Sequence, residues 1–156
     1  VMDGEFMCEE MTARIPAIGG GNFLLLSKNR SSCLSACEIA VNVMSKIDNI
    51  ITPFPGGVVR SGSKVGSKYK ALIASTNDAF CPSLSGITGS KLHKSVNCVM
   101  EIVMTGLTKK DIDKGIRESL IAISKSKYKK DIVSVSAGNY GGKLGQHHFH
   151  LRKILK

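Results

Sequence analysis

The ten residues from Val96 to Thr105, VNCVMEIVMT, constrain the fold more than any other stretch. Val96, Cys98, Met100, Ile102 and Met104 share one parity, and all are apolar. Asn97, Val99, Glu101, Val103 and Thr105 share the other. Successive side chains of a strand point to opposite faces, so this segment reads as a strand with one dry face. The opposite face carries a glutamate between two valines. The chain must therefore build a sheet and cover at least one side of it.

Two helical patterns supply the cover. Cys33, Ala36, Cys37, Ala40, Val43, Met44 and Ile47 recur at helical spacing, which predicts an amphipathic helix ending near Asn49, with Ser31 and Ser32 available as caps. Thr108-Lys109-Lys110-Asp111 has the pattern of a capping box with Asp in place of Glu. Ile112, Ile116, Leu120 and Ile123 follow it, predicting a helix from about Lys109 to about Ser126. Gly115 inside this helix costs roughly 1 kcal/mol relative to Ala, a cost consistent with close packing.

Further strands are expected at Asn22–Ser27 (NFLLLS), at Ile132–Ser136, and as a short final piece from His148 to Leu151. Pro53-Phe54-Pro55-Gly56-Gly57 is a bend between Ile50-Ile51-Thr52 and Val58-Val59. Residues 60–70 read as a Ser-, Gly- and Lys-rich loop, Ala71–Ala74 as a short apolar stretch, and 75–95 as turns. Residues 1–18 read as an N-terminal remnant or linker with a strand edge at Glu5–Cys8, as expected of a chain cut from something longer or of a shortened open reading frame, and 19–156 read as the folded unit. The order strand, helix, strand, strand, helix, strand is that of an α+β, ferredoxin-like βαββαβ sandwich.

The formal net charge is +10, from 22 Lys and Arg against 12 Asp and Glu, which favours anionic partners. The densest group, Lys125, Lys127, Lys129 and Lys130, lies where a helix should end and complements its dipole. No aromatic side chains interleave with it to stack bases, which argues against nucleic acid. The five cysteines form no Cys-x-x-Cys pair and read as reduced thiols of a cytoplasmic protein. No apolar run reaches the length of a membrane span. His147, His148 and His150 lack acidic or Cys partners at metal-site spacing, so no metal is expected.

Six stretches then match one family in order and spacing: Gly20-Gly21-Asn22-Phe23, PFPGGVV at 53–59, SKVGSKY at 63–69, ASTNDAFCP at 74–82, CVMEIV at 98–103 and SAGNYGGKLGQ at 136–146. Over about Glu5 to Leu151 the chain resembles the C-terminal lobe of the formylmethanofuran:tetrahydromethanopterin formyltransferases. The resemblance identifies this as the distal lobe of a normally two-lobed protein, with the other, proximal lobe missing. It implies transfer of a formyl group between formylmethanofuran and N5 of tetrahydromethanopterin, with these C1 carriers as substrates and no prosthetic group. It also implies a homotetramer, or a partner lobe that completes the site. A non-catalytic paralogue that binds C1 carriers or assembles with a partner lobe is the alternative.

An amine attacking an amide carbonyl needs donors for an oxyanion and one proton shuttle with a pKa near the working pH. Glu101 is the candidate shuttle. Val99 and Val103 flank it, and desolvation there would raise its pKa; the other possibility is a solvated glutamate on a half-exposed sheet. The family motif places a catalytic acidic residue at this position. Asn77 and Asp78 are candidates to orient a carbonyl or pterin, or to close an Asx-turn. Lys64 and Lys68, flanking Gly66, are candidates for the anionic groups of the carriers, or plain surface lysines. Of the histidines, His150 falls where the family also has one.

Overall fold

The structure is a computed structural model describing residues 2–60, 70, 77–87, 89–138 and 145–156. Its centre is an antiparallel sheet. Strand β1 (Ile18–Ser27) leads into helix α1 (Arg30–Met44), and then into the short strands β2 (Ile50–Ile51) and β3 (Val58–Arg60). Strand β4 (Cys98–Gly106) is followed by α2 (Lys109–Lys125), β5 (Ile132–Ser136) and a single turn, α3 (Leu151–Ile154). The strand order is β2-β4-β1-β5, with β3 also paired to β4. The central pair places Leu24 opposite Glu101 and Phe23 opposite Ile102.

The parity of β4 holds from Cys98 onward; Val96, expected on the same face, lies before the strand begins and packs on the opposite face. Cys98, Met100, Ile102 and Met104 join Phe23 and Leu25 under both helices, which contribute Cys33, Ala36, Cys37 and Ala40 from α1 and Ile112, Ile116 and Leu120 from α2. The opposite face is covered as well. Leu24, Leu26, Val96 and Val99 form a second apolar cluster, closed by Phe80, Leu92 and Val133. The turn-rich segment before β4 therefore acts as a lid over the face that the helices leave bare. Glu101 lies on this second face and is 8% exposed.

Several expectations change. Glu5–Cys8 is not a strand: residues 2–17 have no regular structure, and Met2, Phe6, Met7 and Met11 are exposed. They form no ladder, and an unpaired extended segment gains nothing from the sheet. Strand β1 begins at Ile18, so the glycine run belongs to it, with a register shift between Ile18 and Gly21. Helix α1 ends at Met44 rather than near Asn49, which instead turns the chain with φ 66°. His148–Leu151 is not a strand; 147–150 are irregular, and Leu151 opens α3. Residues 148–150 pair with no described strand, so they gain no ladder, and Leu151 enters a helical turn instead. Lys64, Lys68 and the 71–74 stretch lie outside the described residues, as does most of the glycine-rich 138–145 turn.

The caps show how local chemistry sets these boundaries. Thr108 and Asp111 form the expected capping box: Asp111 N donates to Thr108 Oγ1 (3.3 Å), and Thr108 N donates to Asp111 Oδ2 (2.9 Å). For α1 the cap is Asn29, one residue before the helix, whose Oδ1 accepts from Ser32 N at 3.1 Å. Asn29→Ala should therefore destabilise the fold by about 1 kcal/mol, whereas Ser31→Ala should be nearly neutral. Urea unfolding of the two variants checks this, and equal midpoints would refute the assignment of the cap.

Gly115 is buried, and a Cβ there would come within 2.6 Å of Ile50 Cδ1. The close approach expected from the sequence is to β2.

Candidate functional site

Among the described residues, Glu101 is the buried carboxyl of the sheet. Asn22 Nδ2 donates to its Oε1 at 2.6 Å, and Asn77 Nδ2 donates to its Oε2 at 2.9 Å. Asn22 stands on β1, two residues before Leu24, which is the residue opposite Glu101. Asn77 is 6% exposed and precedes the 3₁₀ turn Asp78–Phe80 in the covering segment. A third contact completes the cluster: Gly138 N donates to Asn22 Oδ1 at 3.0 Å. Gly138 follows β5 by two residues, so the sheet itself brings these groups together.

The cluster is close-packed. A Cβ on Gly138 would lie 2.6 Å from Asn22 Nδ2 and 2.8 Å from Asn77 Oδ1, so only glycine fits there without displacing the amides. Burial pushes the Glu101 carboxyl above the ordinary glutamate range, while the amides of Asn22 and Asn77 pull it back. No charged side chain is among the groups that shift it. Arg60, paired with Met100 on β3, acts on Cys98 beneath the sheet instead.

The sign of the linkage follows. A carboxyl raised in the folded chain adds stability that is complete below its unfolded pKa and is lost as pH rises through the folded value. Thermal unfolding should therefore show native stability declining, relative to Glu101→Gln, as pH rises from about 4. A native-to-variant difference that is constant across pH would contradict the burial account.

The sequence candidates separate. Glu101 and Asn77 come together, with Asn77 aimed at the carboxyl. Asp78 Oδ1 accepts from Ala79 N at 2.8 Å, the local bond of a turn residue. Sequence reasoning missed Asn22 and Gly138 as partners of Glu101. Both lay within quoted motifs, but nothing local marks contacts 79 and 116 residues apart.

Two concavities adjoin the cluster or the helices. One, of about 470 Å³, is walled by the glycines of β1, by Asn22 and Gly138, and by His147, His148 and His150. The other, of about 700 Å³, runs along the outer side of α2 and gathers Lys109, Lys110, Lys114 and Arg117, with His148 and His150 at its edge. Among the described residues, no group of three or more His, Cys, Asp or Glu could hold a metal ion. No described helix is long and apolar enough to cross a membrane. The five cysteines are free, and four are buried. Cys37 and burial push the Cys33 thiol up, and burial raises Cys98 to about 11.

A family model described as "FTR, proximal lobe" matches residues 4–154. The chain is 59% identical over 155 residues to a formylmethanofuran–tetrahydromethanopterin formyltransferase of Methylobacillus flagellatus, covering 99% of this chain and 51% of that protein. It is 56% identical to the corresponding protein of Methylococcus capsulatus, covering 99% and 52%. The crystal structure of the formyltransferase/hydrolase complex of Methylorubrum extorquens with methylofuran superposes with a TM-score of 0.78 at 47% identity, over 90% of this chain and 46% of that one. The formyltransferase of Methanosarcina barkeri gives a TM-score of 0.77 at 40% identity, over 90% and 47%. The chain thus spans about half the length of the relatives it matches.

One expectation is corrected: the matching lobe is the proximal one, not the distal. The motifs align the chain with one half of the family but carry no information on where that half sits in the assembled protein. The chain belongs to the formylmethanofuran:tetrahydromethanopterin formyltransferase family, of which it carries the proximal lobe.

Proposed function

We propose that this chain supplies the proton-transferring carboxyl for moving a formyl group between formylmethanofuran and N5 of tetrahydromethanopterin. The observation that carries this reading is Glu101, buried on the sheet and held by an amide on each oxygen. In the forward direction the N5 amine attacks the formyl carbon, and the carbonyl electrons move onto oxygen. The N5 proton must leave, and the methanofuran nitrogen must gain one before its C–N bond breaks. Glu101 takes the first proton and returns it to the second nitrogen. Burial raises the pKa of this carboxyl, which favours its holding a proton and passing it on, as an acid–base group must. No prosthetic group enters this scheme.

Asn77 serves the carboxyl, and Asp78 at the adjacent turn is proposed to meet the pterin. Lys64 and Lys68 are proposed to meet anionic groups of the carriers, where ammonium groups suit oxyanions. Residues 19–156 are proposed as the folded lobe, with 1–18 as a connecting segment. If β2 and β3 are one edge strand interrupted by the PFPGG bend, the strand order is that of a ferredoxin-like sandwich. A second lobe or further copies of the chain are proposed to complete the carrier clefts, in the cytoplasm, where buried free thiols persist.

A second reading, a lobe that binds carriers without turning them over, draws on the half-length match to the relatives. Supplying the chain with both carriers and following formyl transfer separates the two. Transfer is expected; carrier binding without transfer supports the second reading, and neither binding nor transfer would overturn both.

A further inference from the structure

We propose that Asn22 is a positioning residue for Glu101 and that the backbone N–H of Gly138 sets its orientation, so that one hydrogen-bond relay runs from the wall of the 470 Å³ pocket to the carboxyl. Donor chemistry fixes the direction. A backbone N–H can only donate, so the oxygen of the Asn22 amide must face Gly138. The NH₂ end then has to face Glu101, at 2.6 Å. Asn22 cannot turn its amide over without leaving a donor opposite a donor at Gly138 and an oxygen opposite the Glu101 carboxyl.

This has a chemical consequence. An N–H occupies each oxygen of Glu101, from Asn22 at Oε1 and from Asn77 at Oε2, so the carboxyl is held in one orientation from both sides. Asn22 is half-buried and, with Gly138, lines the pocket, whereas Glu101 does not line it. The outer end of the relay is therefore where a carrier seated in that pocket would be sensed. Glycine at 138 is part of the device, because a Cβ would push on both amides at once. The groups facing Glu101 are Asn22 on β1, Asn77 of the covering segment, and the apolar Leu24 and Val59 opposite it on the flanking strands. The catalytic meaning of the relay rests on the function proposed for Glu101; its existence does not.

The test uses magnetic resonance on the whole chain, with ¹³C-labelled glutamate carboxyls and ¹⁵N-labelled amides, and Glu101 identified by its loss in Glu101→Gln. The Gly138 amide resonance should titrate with the same midpoint as the Glu101 carboxyl and lose that response in Glu101→Gln. In Asn22→Ala the Glu101 midpoint should move to higher pH, and the Gly138 amide should stop following it. In Gly138→Ala, with both asparagines intact, the Glu101 midpoint should also rise. If Asn22→Ala does not fold, the native titration and Gly138→Ala decide the matter. A Gly138 amide indifferent to the Glu101 titration, or a midpoint unmoved in the variants, would overturn the relay. Neither result depends on turnover, so a failure of the relay and a failure of the formyl-transfer reading remain distinguishable.

Discussion

Glu101→Gln is expected to lower the rate of formyl transfer by about 10²–10⁴-fold, the usual contribution of a positioned acid–base group. Glutamine keeps the shape and an oxygen for the Asn22 amide, so the sheet and its apolar faces should persist. What disappears is the proton site. Because the loss lies in the step that moves protons between the two nitrogens, it should appear in kcat, with carrier binding nearly unchanged. Glu101→Asp tests the geometry separately. It retains an acid but withdraws it from the two amides that hold it at 2.6 and 2.9 Å. A variant that loses carrier affinity while keeping kcat would place Glu101 in binding instead.

Gly57→Ala is expected to be the costliest single-methyl change among the described glycines. Gly57 is buried with φ 71°, at the end of the PFPGG bend that separates β2 from β3. A Cβ there would sit 2.7 and 2.8 Å from the two γ-methyls of Val41 on α1, and 3.1 Å from Thr52 Oγ1. Val41 is β-branched within a helix and has almost no rotamer to escape into. Left-handed backbone costs roughly 1–2 kcal/mol for a non-glycine residue, and overpacking about 1–3 kcal/mol more. The expected loss is about 2–5 kcal/mol, a fall in melting temperature of about 10 °C for a chain of this size. The contrast is Gly56→Ala, next to it. Its φ of 67° is similar, but a Cβ would meet nothing within 4 Å. Equal melting temperatures for the two variants would show that the contact with Val41 is not what excludes a side chain at 57.

The parts of this fold that could be read from the sequence are those set by short-range chemistry. The parity of β4 assigned its two faces because one set of side chains is wholly apolar. The capping box announced α2 because Thr108 and Asp111 need only each other. The bend at 53–57 followed from proline and glycine alone. The cover over the second sheet face was not legible. Phe80 and Leu92 lie in a turn-rich stretch with no period, alternation puts Val96 on the other face of the strand, and only the folded chain sets them beside Leu24 and Leu26. The cap of α1 went to Asn29 because the chain leaves β1 immediately before it, placing the asparagine ahead of the serines that could have capped.

The site divides in the same way. Glu101 stood out as a charge inside an apolar pattern, and Asn77 as a polar residue in a family motif. In the sequence Asn22 is only the first residue of an expected strand and part of a family motif. Its role comes from the antiparallel pairing of β1 with β4 and from Gly138 arriving off β5. Such a contact is a product of topology, which spacing along the chain does not encode.

The most direct test of the central claim is the pH dependence of kcat for formyl transfer, native against Glu101→Gln. The native profile should contain a limb above the ordinary glutamate range, in the direction burial drives this carboxyl, and the variant should lose that limb together with most of its rate. A variant that retains the native profile would show that another group moves the proton.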